Sequence, residues 1–279
     1  MYCFFAHHRS ASSSTNDILR ELSRHFGWRF VTVHNATMYD NDLRAFCLEH
    51  RPDLLTLSNA RPQHLPDLPD FRGVHVVRDP RDVLVSSYFS HRESHPTQNW
   101  PELRAHRKEL QGVDEEQGLL LEMACRAEQF ADLGAWQYDD PRVLEWKMEA
   151  LVADPGMHFR KLLEFWGLAW DARGGIAASL RPSANRLLAA LEWRTPVKAL
   201  PRWRTNAICA RALDEALATH SFNRKSGGRS PGETYNSHHY RSGAQGDWRQ
   251  HFSKQVTEVF KERFGALLVH LGYEQGLDW

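Results

Sequence analysis

"VVRDPRDVLVSSY", residues 76–88, passes from an apolar run to a helical one through a single turn. Asp79 is a helix-capping residue type, and Pro80 suits the first helical position, where its missing N–H has no partner to lose. The pattern predicts a strand, "GVHVVRD" (73–79), feeding directly into a helix. Four further short segments read as strands: "YCFFAHH" (2–8), "RFVTVHN" (29–35), "LLTLSNA" (54–60) and "RVLEWKM" (142–148). They are rich in Val, Leu and Phe and more continuous than alternating, the pattern of parallel strands covered on both faces. Helical stretches alternate with them. Ile18, Leu19, Leu22 and Phe26 share one helical stripe, 115–136 is helix-rich, and Val256, Val259, Phe260, Phe264, Leu267, Leu268 and Leu271 make the apolar side of a closing helix.

This alternation predicts an α/β fold, a doubly wound parallel sheet of about five strands flanked by helices, in one domain over 1–279. Ligands in such sheets bind outside the carboxyl ends of the strands. Two regions resist the scheme. Residues 171–205 interleave arginines with Trp193 and Trp203 and carry Pro196 and Pro201, so they read as a substrate lid or a packing cluster. Residues 223–247 are dense in Gly, Ser, Arg and His, and a loop that long is usually functional or disordered.

Composition excludes several classes. Thirty-five basic residues balance thirty-five acidic ones, which gives no support to non-specific nucleic-acid or anionic-membrane binding. The sixteen histidines show no metal-ligand spacing, and the four cysteines form no CxxC pair and read as reduced thiols. No apolar run reaches the ~20 residues of a membrane span, and the N-terminus lacks a signal-peptide pattern. The expectation is a cytoplasmic protein with no transmembrane span, of unknown oligomeric state.

At the first strand–helix turn stands "HHRSASSST" (7–15), where Arg9 and the hydroxyls of Ser10, Ser12, Ser13, Ser14 and Thr15 meet a helix N-terminus. Free N–H groups and a partial positive charge make such a turn an anion cradle. The plainer alternative is a serine cap that only starts the helix. No Walker GxxxxGK[ST] is present, and no glycine precedes Gly27, which argues against an ordinary nucleotide kinase. Arg78 and Ser86 make a second basic and hydroxylic pair, with Arg81 and Asp82 read as a solvated helix start. "YRSGAQGDW" (240–248) adds Arg241 and the backbone around Ser242 and Gly243. Three anion-competent elements suit a ligand with more than one phosphate-like group.

These residues resemble a known family. "RDPRDVLVSSY" is similar to the 3′-phosphate segment of sulfotransferases that use 3′-phosphoadenosine 5′-phosphosulfate (PAPS), "YRSGAQGDWRQHF" to their C-terminal RKGxxGDWxxxF signature, and "SFNRKSGGRSPGE" (221–233) to the loop before it. The elements occur in the family's order, and the resemblance covers most of the chain except 92–140 and 171–205. It implies a P-loop-NTPase-like sulfotransferase fold that moves a sulfuryl group from PAPS to a hydroxyl, less often an amine, leaving PAP. Arg9 stands for the family's loop lysine. Ser10, Ala11, Ser12, Ser13 and Ser14 would cradle the 5′-phosphosulfate, with Ala11 at a glycine position and Ser14 at that of a stacking tryptophan. Arg78 and Ser86 would bind the 3′-phosphate, Arg241, Ser242 and Gly243 would close over it (223–247 being the cofactor-closing loop), and Phe222 would pack on the adenine. Glu149 keeps part of a Tyr-Glu-Asp signature whose other positions are Met148 and Ala150.

Sulfuryl transfer is an in-line displacement governed by positioning and electrostatics, so no metal is expected. Arg9 would stabilise the leaving oxygen by charge alone, since its pKa is too high for proton donation. The acceptor, a small molecule or a glycan or lipid hydroxyl, needs a base. The family's Lys-Thr-His-Leu-Pro segment has no clean match near "SNARPQHLP" (58–66), so the candidates are His64 and His34, with His8 or Asp40 behind them. A P-loop-like nucleotide kinase and a non-catalytic nucleotide-binding protein remain as alternatives.

Overall fold

In a computed structural model of the chain, the described residues are 1–98, 100–171, 176–194, 200–229, 233 and 245–279, with the side chains of 176–179 and 192–194 left aside. The expected strands form. β1 (Tyr2–Phe5), β2 (Phe30–Val33), β3 (Leu54–Leu57), β4 (Arg72–Val77) and β5 (Val143–Lys147) make one five-stranded parallel sheet in the order β2-β3-β1-β4-β5. β1 lies between β3 and β4, with Tyr2 opposite Leu54 and Arg72, and Phe5 opposite Leu57 and His75. Because both faces are covered, β3 is buried at all four positions, which is why its sequence does not alternate.

Helices fill the connections: α1 (Ser12–Phe26), α2 (Leu43–His50), α3 (His64–Asp67), α4 (Pro80–Phe89), α5 (Pro101–Gln111), α6 (Glu115–Cys125), α7 (Ala127–Gly134), α8 (Met148–Ala153), α9 (Pro155–Phe165), α10 (Ile176–Arg194), α11 (Ala210–Thr219), α12 (Phe222–Lys225) and α13 (Lys254–His270). A two-stranded pair, β6 (Ala169–Trp170) and β7 (Ala207–Ile208), lies apart from the main sheet.

The chain divides into two compact units. The sheet unit comprises Met1–Ala6, Ala11–Val76 and Tyr138–Ser221. Its core gathers Phe4 from β1, the expected stripe Ile18, Leu19, Leu22 and Phe26 of α1, and Phe159, Leu162 and Leu163 of α9. Phe26 stacks on Trp28 at 4.4 Å, and emptying that position as Phe26→Ala would cost about 3–5 kcal/mol. Gly27 ends α1 with φ +71°, and a Cβ there would meet the Trp203 carbonyl, so glycine is required twice over.

The helical unit comprises His7–Ser10, Val77–Gln137 and Phe222–Trp279. Asp79 caps α4 by accepting from the Arg81 N–H, with Pro80 in the first turn, as the sequence predicts. Val256, Phe260, Leu267 and Leu268 of α13 are buried, and the Phe130 ring of α7 meets Phe264 edge-on at 4.9 Å. Gly118 lets α6 approach α4, because a Cβ there would strike the Tyr88 ring.

Part of 171–205 is regular helix. Its first half is α10, a helix with Pro182 inside it. Asn185, 1% exposed, ties α10 to the end of α1 through the Arg24 carbonyl and to the following loop through both Trp203 backbone groups. Those buried amide bonds offset the disruption that an interior proline brings.

Candidate anion site and histidine cluster

The turn after β1 is built from unusual backbone. Arg9 (φ 67°) and Ala11 (φ 57°) both occupy the left-handed region, which suits glycine best. Two such residues within three positions turn the chain into α1, and Ser10, 1% exposed, donates its N–H back to the His7 carbonyl at 3.2 Å. The serine-cap alternative meets a contrary finding. Ala11 is the N-cap, no side chain caps the helix, and Ser14 Oγ donates to the Ala11 carbonyl at 3.2 Å. Ser12, Ser13 and Ser14 thus form the first turn of α1, in the sheet unit.

Within the helical unit three of the expected residues meet. Arg9 Nε donates to Ser86 Oγ at 2.8 Å, and Arg78 Nη1 donates to the Arg9 carbonyl at 3.2 Å. Ser86 sits on the second turn of α4, 6% exposed, so its hydroxyl is fixed by the helix that Asp79 and Pro80 start. Two guanidinium groups and a hydroxyl on fixed backbone are donors for a multiply charged anion. Arg9 is the unexpected part of the trio, since the sequence assigned it to a different phosphate from Ser86.

Phe222 opens α12, with the Arg229 guanidinium 5.9 Å from its ring centre. Glu149 lies on α8 in the sheet unit. Arg241, Ser242 and Gly243 lie outside the described residues.

The solvated helix start expected of Arg81 and Asp82 is wrong: both are 2% exposed. Arg81 bonds the Asp79 carboxylate through Nε and Nη2, pairs with Glu274 at 2.5 Å, and lies 4.0 Å from the Trp248 ring and 4.5 Å from the Trp279 ring. Asp82 accepts the backbone N–H groups of Gly246 (2.8 Å) and Trp248 (3.0 Å). Burial raises its carboxyl pKa, opposed by Arg78 and those two N–H groups. The pair therefore fixes the chain immediately after 241–244. Apart from Asp79, their partners lie more than 160 residues away, so no local pattern could reveal them.

The candidate bases stand in different surroundings. His64 Nδ1 accepts the Arg61 N–H at 3.1 Å, which places its proton on Nε2, 3.0 Å from the Tyr39 hydroxyl. Burial lowers its pKa to about 4, helped by Arg61. His34 is exposed; its backbone N–H meets Met38 Sδ at 3.3 Å, and its carbonyl accepts from Asn59. Asp40, also exposed, follows a short 3₁₀ turn (Ala36–Tyr39) with φ 48°.

His8 belongs to a cluster that sequence reading missed. Its ring stacks on His91 (centroids 5.1 Å apart, 28° between planes) and meets His95 and Trp100 edge-on at 5.1 and 6.5 Å. His91 lies in a π-helical turn (Ser90–Ser94) that continues α4, a geometry found often at functional sites. Behind it, the fully buried Glu122 carboxylate receives His91 Nδ1 at 3.0 Å and His106 Nε2 at 2.8 Å, with Arg126 Nε 3.1 Å away. Burial alone would raise the Glu122 pKa, yet His106, His91 and Arg126 outweigh it and hold the group at about 2. Glu122 in return raises the His106 pKa, whereas burial lowers that of His91. Cys125 brings a fourth potential metal-ligand atom within 4.8 Å of this set, but the carboxylate at its centre already takes three nitrogen groups.

A parallel α/β sheet flanked by helices is a fold shared by many nucleotide-binding proteins, and fold alone does not fix function. Comparison with known proteins narrows that class. The sulfotransferase family profile matches residues 9–172, more than half of the chain, and the chain belongs to that family. The fold is similar to mouse sulfotransferase SULT7A1 complexed with PAP, with TM-score 0.57 and 13% identity over 96% of this chain and 83% of that one. A retinol dehydratase in complex with androsterone and inactive cofactor PAP aligns with TM-score 0.48 and 16% identity, over 96% and 80%. No curated protein sequence matches the chain significantly. None of the helices searched among the described residues is long and apolar enough to cross a membrane.

Proposed function

We propose that the chain transfers the sulfuryl group of PAPS to a hydroxyl acceptor, less often an amine, on a small molecule, glycan or lipid. The observation that carries this reading is the meeting of Arg9, Arg78 and Ser86 in one unit of a sulfotransferase-family chain. PAP in the mouse neighbour supplies the cofactor for the proposal. Arg78 and Ser86 hold the 3′-phosphate. Arg9 and Ser10, with Ala11, Ser12, Ser13 and Ser14 beyond them in the chain, hold the 5′-phosphosulfate through hydroxyls and backbone N–H groups. Arg241, Ser242 and Gly243 close over the phosphate, and Phe222 takes the adenine. As the acceptor oxygen reaches sulfur, charge grows on the bridging oxygen of the departing PAP, and Arg9 neutralises it without giving up a proton. No step calls on a metal.

Calorimetry with PAP tests this. PAP is expected to bind without Mg²⁺, and Arg78→Ala to weaken it about 10–100-fold, the loss of one or two charge-assisted hydrogen bonds. A chain that binds ATP but not PAP would overturn the PAPS-dependent reading.

A further inference from the structure

We infer that His8 takes the proton of the acceptor hydroxyl, in a reaction that rests on the sulfotransferase reading above. Three observations on the helical unit lead to it.

The first is the unmet hydrogen bond. His8 Nε2 is buried and has no hydrogen-bond partner among the described residues. A buried polar atom left bare is expensive, and in a folded protein it calls for an explanation such as catalysis. An acceptor hydroxyl pointing at Nε2 supplies the missing donor. His64 offers no such lone pair, since Nδ1 is occupied by the Arg61 N–H.

The second is position. His8 immediately precedes Arg9, whose side chain bonds Ser86 and whose carbonyl receives Arg78. The His8 carbonyl is itself held by Gln129 Nε2 at 3.2 Å. The base and the residue proposed to steady the leaving oxygen are therefore consecutive on a fixed backbone, which holds both groups in place for an acceptor and a leaving oxygen on opposite sides of sulfur.

The third is support from behind. The His8 ring lies on His91, which is oriented through Nδ1 by Glu122, and Glu122 is anchored by His106 and Arg126. Packing on a carboxylate-oriented imidazole, with His95 and Trp100 edge-on, restricts the plane of the His8 ring, a pre-organisation that suits a base. Burial keeps His8 neutral, with Arg126, His91, Arg9 and His95 all adding to the effect, so one ring nitrogen is unprotonated and able to accept a proton at neutral pH.

The step balances. The acceptor O–H proton passes to His8 Nε2 as the oxygen bonds to sulfur. The bond between sulfur and the 5′-phosphate oxygen breaks, its electron pair leaves with PAP, and the imidazolium later releases its proton to water. ROH and PAPS become the sulfate ester, PAP and H⁺.

The test compares two probe acceptors with labelled PAPS: phenol, whose pKa is near ~10, and 4-nitrophenol, already ionised at mildly alkaline pH. His8→Gln is expected to lower kcat for phenol about 10²–10³-fold while 4-nitrophenol loses less than about 5-fold. PAP affinity, read by calorimetry, should change less than about 2-fold. Imidazole added to His8→Ala should restore transfer to phenol. Equal losses for both probes, no loss for phenol, or a wild-type chain that binds PAP but transfers to neither probe each overturn the His8 assignment alone. Absence of PAP binding overturns the sulfotransferase reading and this one with it. Should the variants fail to fold, ¹⁵N shifts of the wild-type imidazole in the PAP complex decide: a bare, unprotonated Nε2 at neutral pH supports the assignment, and a protonated or hydrogen-bonded Nε2 overturns it.

Discussion

His64, a buried histidine, and His8, half-buried with its Nε2 covered, both have lowered pKa values, and they teach opposite lessons. His64 carries the more familiar sequence, with "HLP" following a strand, yet both of its ring nitrogens are committed, one to a backbone N–H and one to Tyr39. His8 has no such sequence around it, and its Nε2 has no hydrogen-bond partner among the described residues. Burial alone does not make a base; a lone pair left available does. In the sheet unit the polar groups around His64 close on each other and stiffen a turn. In the helical unit ring nitrogens of His8, His91 and His95 lack a hydrogen-bond partner among the described residues, and the one on His8 belongs to the residue next to Arg9.

The largest expected effect tests whether the cluster around Glu122 is the frame of its unit. Glu122→Gln removes the charge that His106, His91 and Arg126 converge on and leaves the buried Arg126 guanidinium without its counter-charge. The cost should be about 3–5 kcal/mol, seen as a melting temperature lower by roughly 10 °C for a protein of this size. A variant as stable as wild type would mean that the cluster is not the rigid support His8 needs. The same group predicts an acid limit. Its folded pKa of about 2 lies below its ordinary value of 4.5. Its contribution is therefore complete above pH ~4.5 and lost as pH falls toward ~2, a slope that Glu122→Gln should lack in acid unfolding.

His64 should show its structural role in a different pH window. Its folded pKa of about 4 lies below the ordinary 6.5, so the folded state prefers the neutral ring. That preference is fully present above pH ~6.5 and vanishes as pH falls toward ~4, worth up to about 3 kcal/mol. Urea titrations across that range should show wild type losing stability faster than His64→Gln. In turnover with phenol the same variant should lose far less than His8→Gln. An equal loss would return the base to His64 and break the comparison.

Asp82 sharpens the contrast between a polar group that is filled and one that waits. Asp82→Ala strands two N–H groups, those of Gly246 and Trp248, and should cost about 2–3 kcal/mol in urea midpoint analysis. Because these bonds fix the chain just after 241–244, PAP affinity should fall as well, with Asp82→Asn intermediate in both measurements. An Asp82→Ala chain with full PAP affinity would detach the C-terminal signature from cofactor binding.

How much of this was legible follows from the range of each interaction. The five strands could be read because burial on both faces shows in consecutive residues such as Leu54 to Leu57. The Asp79 cap and Pro80 start could be read because a cap acts within one turn. Arg9, Arg78 and Ser86 were singled out by residue type and order, but not their contact, which brings together positions 77 residues apart. Arg81 and Asp82 were misread because Trp248, Glu274 and Trp279 are invisible to any local window. α10 was hidden by Pro182, whose cost is offset by the Asn185 bonds to distant carbonyls. The cluster of His91, His106 and Glu122 left no spacing signal, since it spans a π-turn and two helices.

The smallest effect concerns the turn that joins the two kinds of region. Ala11 holds φ 57° with no glycine to relieve it, at a position where the family has one. A Cβ in the left-handed region costs roughly 1–2 kcal/mol, partly offset by the freedom glycine adds to the unfolded chain. Ala11→Gly should therefore raise stability by about 0.5–1 kcal/mol. Arg9, at φ 67°, is under the same constraint but cannot be relieved without losing the guanidinium that reaches Ser86. Strain at Ala11 is thus removable, whereas strain at Arg9 belongs to the site. If Ala11→Gly gains stability while PAP affinity holds, the backbone at residue 11 only carries the chain into α1. If affinity falls with the gain, the strained alanine itself sets the direction of the first-turn N–H groups toward the anion.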